Sequence, residues 1–454
     1  MCGFLAVKNY GINFRKVGDL LNRRGLPGYE GDVNYIHNDN HYSFIHRSLP
    51  FVTEDPDEAI QPFYSSDRKL PGVFVGEIFN YDRDEYETDI QEITENFYNS
   101  GKYEFHNYLH STDGFFTFVG IKDDHLIGYT DHLGIKPLYY RTDIEAMASD
   151  IDSLKVIAPV TPDKLYLSNV GKWGYDPNPN TPWNEIKQVP PGHFVCDGLT
   201  HLYWDWNEIH PFSIFSDLKE SVERRLTGVR DVPLLLSGGL DSSIIYALMK
   251  NLGETNITCI HIDNEESKYV EELIKDDDVL VPISIPANDK LYDRILKITA
   301  SQTPVDLGST HQQIEMGSKL RELGFNAVMT GDGADELFGG YKRAKDYDSQ
   351  YSDVFCELPY YHLPKLDRCM MWSTVELRAP FLSPKIVKHA LLCPYGYRDG
   401  IKKVLKKAFK DHLPKSILDR DKLPLKTKDI RDNPLKERYE LLKQWKAIHY
   451  EHFN

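Results

Sequence analysis

Three places along the 454-residue chain carry side chains whose types and spacing could do chemistry. The first is Ser237-Gly238-Gly239-Leu240-Asp241-Ser242-Ser243, directly behind the apolar run Leu234-Leu235-Leu236. A strand that breaks into a Ser-Gly-Gly turn and then a helix offers several backbone N–H groups and the positive end of a helix dipole. Together these bind phosphate. The hydroxyls of Ser237, Ser242 and Ser243 flank the glycines, and Asp241 can hold a metal ion. No Gly-Lys-Ser/Thr follows, which separates the stretch from a Walker-type loop. The second place is Thr330-Gly331-Asp332-Gly333-Ala334-Asp335-Glu336. Its glycines permit close backbone approach, and its three carboxylates repel one another unless cations share them. Both facts favour a Mg²⁺-polyphosphate site. The third is Cys2. Removal of the initiator Met would leave a thiol beside a free α-amino group of pKa about 7.7–8, partly neutral at pH 7. One residue then supplies nucleophile and base.

Elements of two kinds must position these groups. Residues 3–8 read as a strand that starts right behind Cys2. Further strands are expected near 42–46, 73–79, 115–121 and 125–129, with helices over Asp89–Asn99 and near Glu104–Leu109. That is a layered, mostly β sandwich. From 214 onward strands and helices alternate: helix 214–226, strand 232–236, helix 241–251, strand 257–263, helix 267–275, strand 279–285, helices 290–301 and 311–323, strand 327–330. Alternation of this kind predicts a parallel sheet covered on both faces, with ligands at the carboxyl ends of its strands. Ser237-Gly238 and Thr330-Gly331 both fall at such ends. The run Asp276-Asp277-Asp278 reads as a solvated turn.

Composition bounds the function classes. The length implies two domains, and 41% apolar with 27% charged residues is globular. No run is long and apolar enough for a membrane span, and the start lacks the basic-then-apolar pattern of a secretory signal. A formal charge of −16 argues against a general nucleic-acid binder. Six cysteines without a CxxC pair give no zinc signature and suit a reducing cytoplasm.

Six more stretches follow Cys2 in order: Phe74-Val75-Gly76-Glu77, Thr88-Asp89, Asp113-Gly114-Phe115-Phe116, Asp131-His132-Leu133-Gly134-Ile135-Lys136-Pro137, Ala148-Ser149-Asp150 and Pro190-Pro191-Gly192-His193. With Cys2 they resemble the N-terminal-nucleophile glutaminase domain of asparagine-synthetase-type amidotransferases. SGGLDSS, TGDGADELFGGY and Glu376-Leu377-Arg378-Ala379-Pro380-Phe381-Leu382 resemble the same family's ATP-pyrophosphatase half, the last in a helical region. The resemblance implies a layered αββα glutaminase domain over 2–206. A parallel-sheet α/β synthetase domain with a helical C-terminal part would follow over 213–454. Cys2 would attack the glutamine amide, Arg47 would grip the α-carboxylate, and Asp89 with Gly76 and Glu77 would hold the ammonium and amide. ATP would lie on Leu235, Ser237, Gly238, Gly239, Asp241, Ser242, Ser243, Ile262, Thr330 and Gly331, with Leu235 and Ile262 lining the adenine. Asp241 and Asp335 would ligate Mg²⁺, and Asp332 would face the reacting acyl group. Lys402, three residues before Leu405, would stabilise charge on the phosphate and acyl oxygens, with Lys403 and Lys422 as alternatives. The implied reaction consumes ATP, aspartate and glutamine and yields asparagine, glutamate, AMP and pyrophosphate. Its partners are these small molecules, with no nucleic acid or membrane; a homodimer is left open.

Two departures from the family pattern matter. The arginine stands in His46-Arg47-Ser48-Leu49, one place off the usual H-x-R-L register. Val75 stands where the family has the Asn that donates to the tetrahedral oxyanion, and valine cannot donate. The same scaffold hosts amidation of other carboxylates and ring closure, some with a degenerate glutaminase, so a related synthetase that runs on ammonia is the alternative. A non-catalytic sensor would have lost phosphate-loop residues, and none is lost.

Overall fold

The computed structural model describes residues 3–9, 11–22, 34–38, 41–47, 60–206, 213–228, 231–285, 291–299, 307–341, 351–392, 402–420 and 434–450. Cys2 and Lys422 lie outside them. Among the described residues, twelve strands build two antiparallel sheets: β1 (Gly3–Lys8), β2 (Asn34–Asn38), β3 (Tyr42–Arg47), β4 (Phe63–Tyr64), β5 (Pro71–Ile78), β6 (Gly114–Lys122), β7 (His125–Thr130), β8 (Tyr139–Arg141), β9 (Ala146–Ala148), β10 (Ile186–Gln188), β11 (His193–Cys196) and β12 (Leu199–Leu202). The strand orders are β10-β8-β9-β1-β3-β2 and β12-β11-β7-β6-β5-β4. Alternation along β1 explains the stacking. Phe4 and Ala6 join Phe44, Val73, Val75 and Val119 in the core between the sheets, while Leu5 and Val7 face outward into a second core. A strand buried on both faces reads as a continuous apolar run. The helices Asp89–Asn99 and Lys102–Ser111 cover the outer face of the second sheet through Ile93, Phe97, Phe105 and Leu109. The layers are therefore αββα.

The second part carries β13 (Leu234–Leu235), β14 (Thr258–Ile262), β15 (Val279–Ile283), β16 (Ala327–Met329) and β17 (Glu376–Arg378) in the order β15-β14-β13-β16-β17. Every neighbouring pair is parallel. Two expectations need correction. Glu376-Leu377-Arg378 is the sheet's fifth strand, paired residue by residue with Ala327-Val328-Met329, and not part of a helical region. Three residues are too few to show a period. The acidic run is only in part a solvated turn: the Asp278 side chain is fully buried, accepting from Tyr246 Oη at 2.5 Å and Ile257 N at 2.9 Å and pairing with Lys250 at 3.1 Å. The core also crosses the expected domain boundary. Leu441, Leu442 and Trp445 of the Pro434–Tyr450 helix pack in one cluster with Leu5, Trp183 and Ile186.

Candidate active site

At the carboxyl end of β13 the chain turns through Gly238, whose φ of +74° is open to glycine at no steric cost. The loop is closed by its own hydroxyls. Gly239 N donates to Ser237 Oγ at 3.2 Å, Ser237 N donates to Ser242 Oγ at 3.2 Å, and the two serine oxygens stand 3.1 Å apart. The Leu240–Leu252 helix then starts from Gly239 with no side-chain cap, so its first N–H groups remain for a ligand. Ser243 differs from its neighbours: it is wholly buried beneath the loop and offers no surface to a ligand. Leu235 and Ile262 end β13 and β14, half-buried beside one apolar cluster.

The second motif is pressed against the first. A Cβ on Gly331 would stand 2.9 Å from Asp241 Cβ and 3.0 Å from Ser242 N, so only glycine allows this approach. Thr330 N donates to Arg378 O at 3.0 Å, tying the motif to β17. Lys402 completes the group. Its Nζ lies 2.5 Å from Asp241 Oδ2 and 2.5 Å from Asp335 Oδ1, with 4% and 16–18% of the respective side chains exposed. Burial works against the ammonium, but the two carboxylates outweigh it and raise its pKa above the ordinary lysine value. The backbone at Lys402 is left-handed, φ +53°, a conformation non-glycine residues hold only where the surroundings enforce it. Lys403, by contrast, is exposed. Two carboxylates that converge on one ammonium can share one hard cation, which is the donor set Mg²⁺ takes. Beside them, burial pushes the Asp332 carboxyl up, and Glu336 adds to the shift against the Thr330 hydroxyl, Lys365 and His362. Tyr341 Oη donates to Glu336 Oε1 at 2.5 Å.

The groups expected to hold glutamine lie on β3, on β5 and at the start of the Asp89–Asn99 helix. Arg47 is buried on β3 directly across from Gly3, the residue behind Cys2, and burial lowers its pKa to about 10. Asp89 opens the Asp89–Asn99 helix behind the Thr88 cap, and its Oδ2 accepts from Ile78 N at 3.0 Å. Burial raises its pKa to about 6, against the bonds from Ile78 and Ile90. Gly76 has φ +140°, and a Cβ there would collide with Phe115 O. Glu77 is not open to solvent. Nη2 of Arg378 donates to both of its carboxylate oxygens, at 2.7 and 2.8 Å. Burial still drives the Glu77 carboxyl well above its usual range, with Arg378 opposing and Glu376 adding to the shift.

The asparagine synthase family model matches residues 214–355 and 347–451, more than half of the chain, and a glutamine amidotransferase domain model matches residues 1–204. This chain belongs to the asparagine synthase family. A protein named probable asparagine synthetase (glutamine-hydrolyzing) from Acanthamoeba polyphaga mimivirus is 25% identical over 480 residues, covering 93% of this chain and 84% of that one. Asparagine synthetase B (glutamine-hydrolyzing) of Escherichia coli K12 is 26% identical over 488 residues, covering 92% and 80%.

For a member of this family the contacts between the halves are informative. Asp113 accepts from Arg225 Nη2 at 2.9 Å and from Ser383 Oγ at 3.3 Å, Lys136 pairs with Asp367 at 2.7 Å, and a His132 ring nitrogen meets Leu382 O at 2.8 Å. With Glu77 on Arg378, three amidotransferase motifs thus rest on the 376–383 segment or its neighbours. Arg378 stands in a motif the sequence shows, but without a role there, and Arg225 and Asp367 had no signal of their own, since a buried charge and a surface charge look alike in a sequence. Arg420, which donates to Gly238 O at 2.7 Å and pairs with Glu266, was missed for the same reason. His46 was quoted only as a register marker, yet it is fully buried and its Nε2 reaches Phe74 O at 3.2 Å.

Proposed function

We propose that the chain is a glutamine-dependent asparagine synthetase that couples an ammonia-producing site to an ATP-consuming one. The observation that carries this is the convergence of Lys402 with Asp241 and Asp335 where SGGLDSS meets TGDGADE. In the first half, Arg47 and Asp89 orient glutamine by its carboxylate and ammonium, and Cys2 attacks the side-chain amide. In the second, the Gly238–Ser242 loop cradles the polyphosphate of ATP on backbone N–H groups and hydroxyls. Asp241 and Asp335 would hold Mg²⁺, which when bound neutralises the leaving pyrophosphate. Lys402 supplies positive charge to the phosphate and acyl oxygens as aspartate is converted to β-aspartyl-AMP. Asp332 faces the acyl group, and ammonia from the first site displaces AMP. Positioning supplies much of the remaining rate.

Val75 would favour one variation, in which ammonium serves far better than glutamine, if no other side chain donated in its place. The test is pyrophosphate release from ATP with a panel of carboxylates, with glutamine or ammonium supplied. Aspartate-dependent release with asparagine formed supports the reading. Silence with aspartate and turnover with another acid would replace it with a related synthetase.

A further inference from the structure

Val75 has a partner that can do what it cannot. In the antiparallel register of β5 and β6 it stands directly opposite Thr117, which in turn stands opposite Thr130 of β7. Directly opposed residues project to the same side of a sheet, with Cβ atoms about 4.5–5.5 Å apart. On that side lie Val73, Val75 and Val119, packed with Phe4 and Ala6 of the strand that begins right behind Cys2. Phe74, Phe116 and Phe118 take the other side, under the helices. Thr117 therefore looks into the gap between the sheets, level with Val75.

The Thr117 side chain is wholly buried, and its Oγ1 has no hydrogen-bond partner among the described residues. Hydroxyls are seldom left that way, and a valine of the same shape would fill the space without the cost. The neighbouring polar groups do not compete for the role. Thr130 Oγ1 already donates to Asp131 O at 3.3 Å. His46 reaches Phe74 O with Nε2, and a carbonyl only accepts, so the proton is on Nε2 and Nδ1 has a lone pair to offer. Burial, opposed by that bond, lowers the ring's pKa to about 3, which keeps it neutral. Of the three, Thr117 alone has a proton without a taker.

We propose that the Thr117 hydroxyl is the side-chain donor to the oxyanion of the glutaminase reaction, in place of the amide that position 75 lacks. This rests on the glutaminase reading above. The thiolate of Cys2 bonds to the amide carbon, and the carbonyl electron pair moves onto oxygen. Thr117 donates a hydrogen bond to that oxygen without giving up its proton. As the electron pair returns, the C–N bond breaks. Ammonia leaves with the proton that the α-amino group of Cys2 had taken from the thiol, and a thioester remains.

Full-length Thr117→Val, Thr117→Ser, Val75→Asn and the Val75→Asn/Thr117→Val double variant test this by glutamate release and by the ratio of glutamine-driven to ammonium-driven synthesis. Thr117→Val should lower glutaminase kcat by about 10²–10³ with KM little moved, and the ratio should fall with it. Thr117→Ser should stay within about tenfold of the parent, and the double variant should recover at least about tenfold over Thr117→Val, as one restored donor allows. Thermal unfolding of Thr117→Val should be no lower than that of the parent, because an unpartnered hydroxyl is removed. Glutamate release by Thr117→Val close to the parent's, or an equal loss in Thr117→Ser, overturns the assignment. A parent chain that makes asparagine from ammonium but no glutamate from glutamine overturns the glutaminase reading itself.

Discussion

Replacing Arg378 with Met tests how the two halves are joined. The guanidinium is wholly buried, with Nη2 on both oxygens of Glu77 and Nη1 on the carbonyls of Arg225 and Thr227 at 2.7 and 3.0 Å. Breaking a buried pair by removing one partner costs about 3–5 kcal/mol, because the other charge is left unmatched. At about 2–4 °C per kcal/mol for a unit of roughly 200 residues, the first thermal transition should fall by about 6–20 °C. Glu77→Leu in the same chain should return much of that loss, since no carboxyl is then stranded. The pH dependence has a definite sign. Burial already raises the Glu77 carboxyl well above its usual range, and loss of Arg378 raises it further. A raised carboxyl contributes stability that is complete below its unfolded pKa of about 4.3 and is lost as pH rises through the folded value. The deficit of Arg378→Met should therefore be smallest in acid and grow toward neutrality. A melting curve within about 2 °C of the parent, or a double variant no more stable than the single one, would refute the account.

Other outcomes follow from the same geometry. Asp89, raised to about 6 by burial, is ionised only above that pH, so the fall in glutaminase kcat/KM that protonation of the Cys2 α-amino group starts at about 7.7–8 should steepen by about a further tenfold per unit below about 6. A glutamine profile whose slope does not steepen between about pH 6 and 5 would show that Asp89 does not hold the ammonium. Lys402→Met should cut pyrophosphate release by about 10² or more while glutamate release persists, read in parallel assays. Thr88→Ala removes the cap that accepts from Gln91 N and should cost about 1 kcal/mol, measured by thermal unfolding.

The chemistry-bearing loops were legible in the sequence because their residue types are forced by what they do. Gly238 needs its positive φ, Gly331 must admit the backbone of Asp241, and Asp241 and Asp335 must share a cation. Helix limits were legible where caps are local, as at Thr88 and Ser213. What depends on contacts between distant segments was not. β17 is recognisable only beside β16, Asp278 only once Tyr246 and Lys250 surround it, and Arg378 only once Glu77 faces it. Thr117 illustrates the same limit on the smallest scale: its meaning lies across a strand pair, 42 positions from Val75.

The Pro434–Tyr450 helix sets a clock on the whole molecule. Trp445 and Leu441 close the outer core that contains Leu5 of the first strand, and Tyr450 Oη reaches Pro182 O. A ribosome adding about 5–20 residues per second needs roughly 10–50 s to go from the end of the second sheet to that helix. During this interval Trp183 and Leu5 are already synthesised and lack their cover. A strand made early is covered by a helix made late, and removal of the Pro434–Tyr450 helix should act on solubility during synthesis before it acts on catalysis.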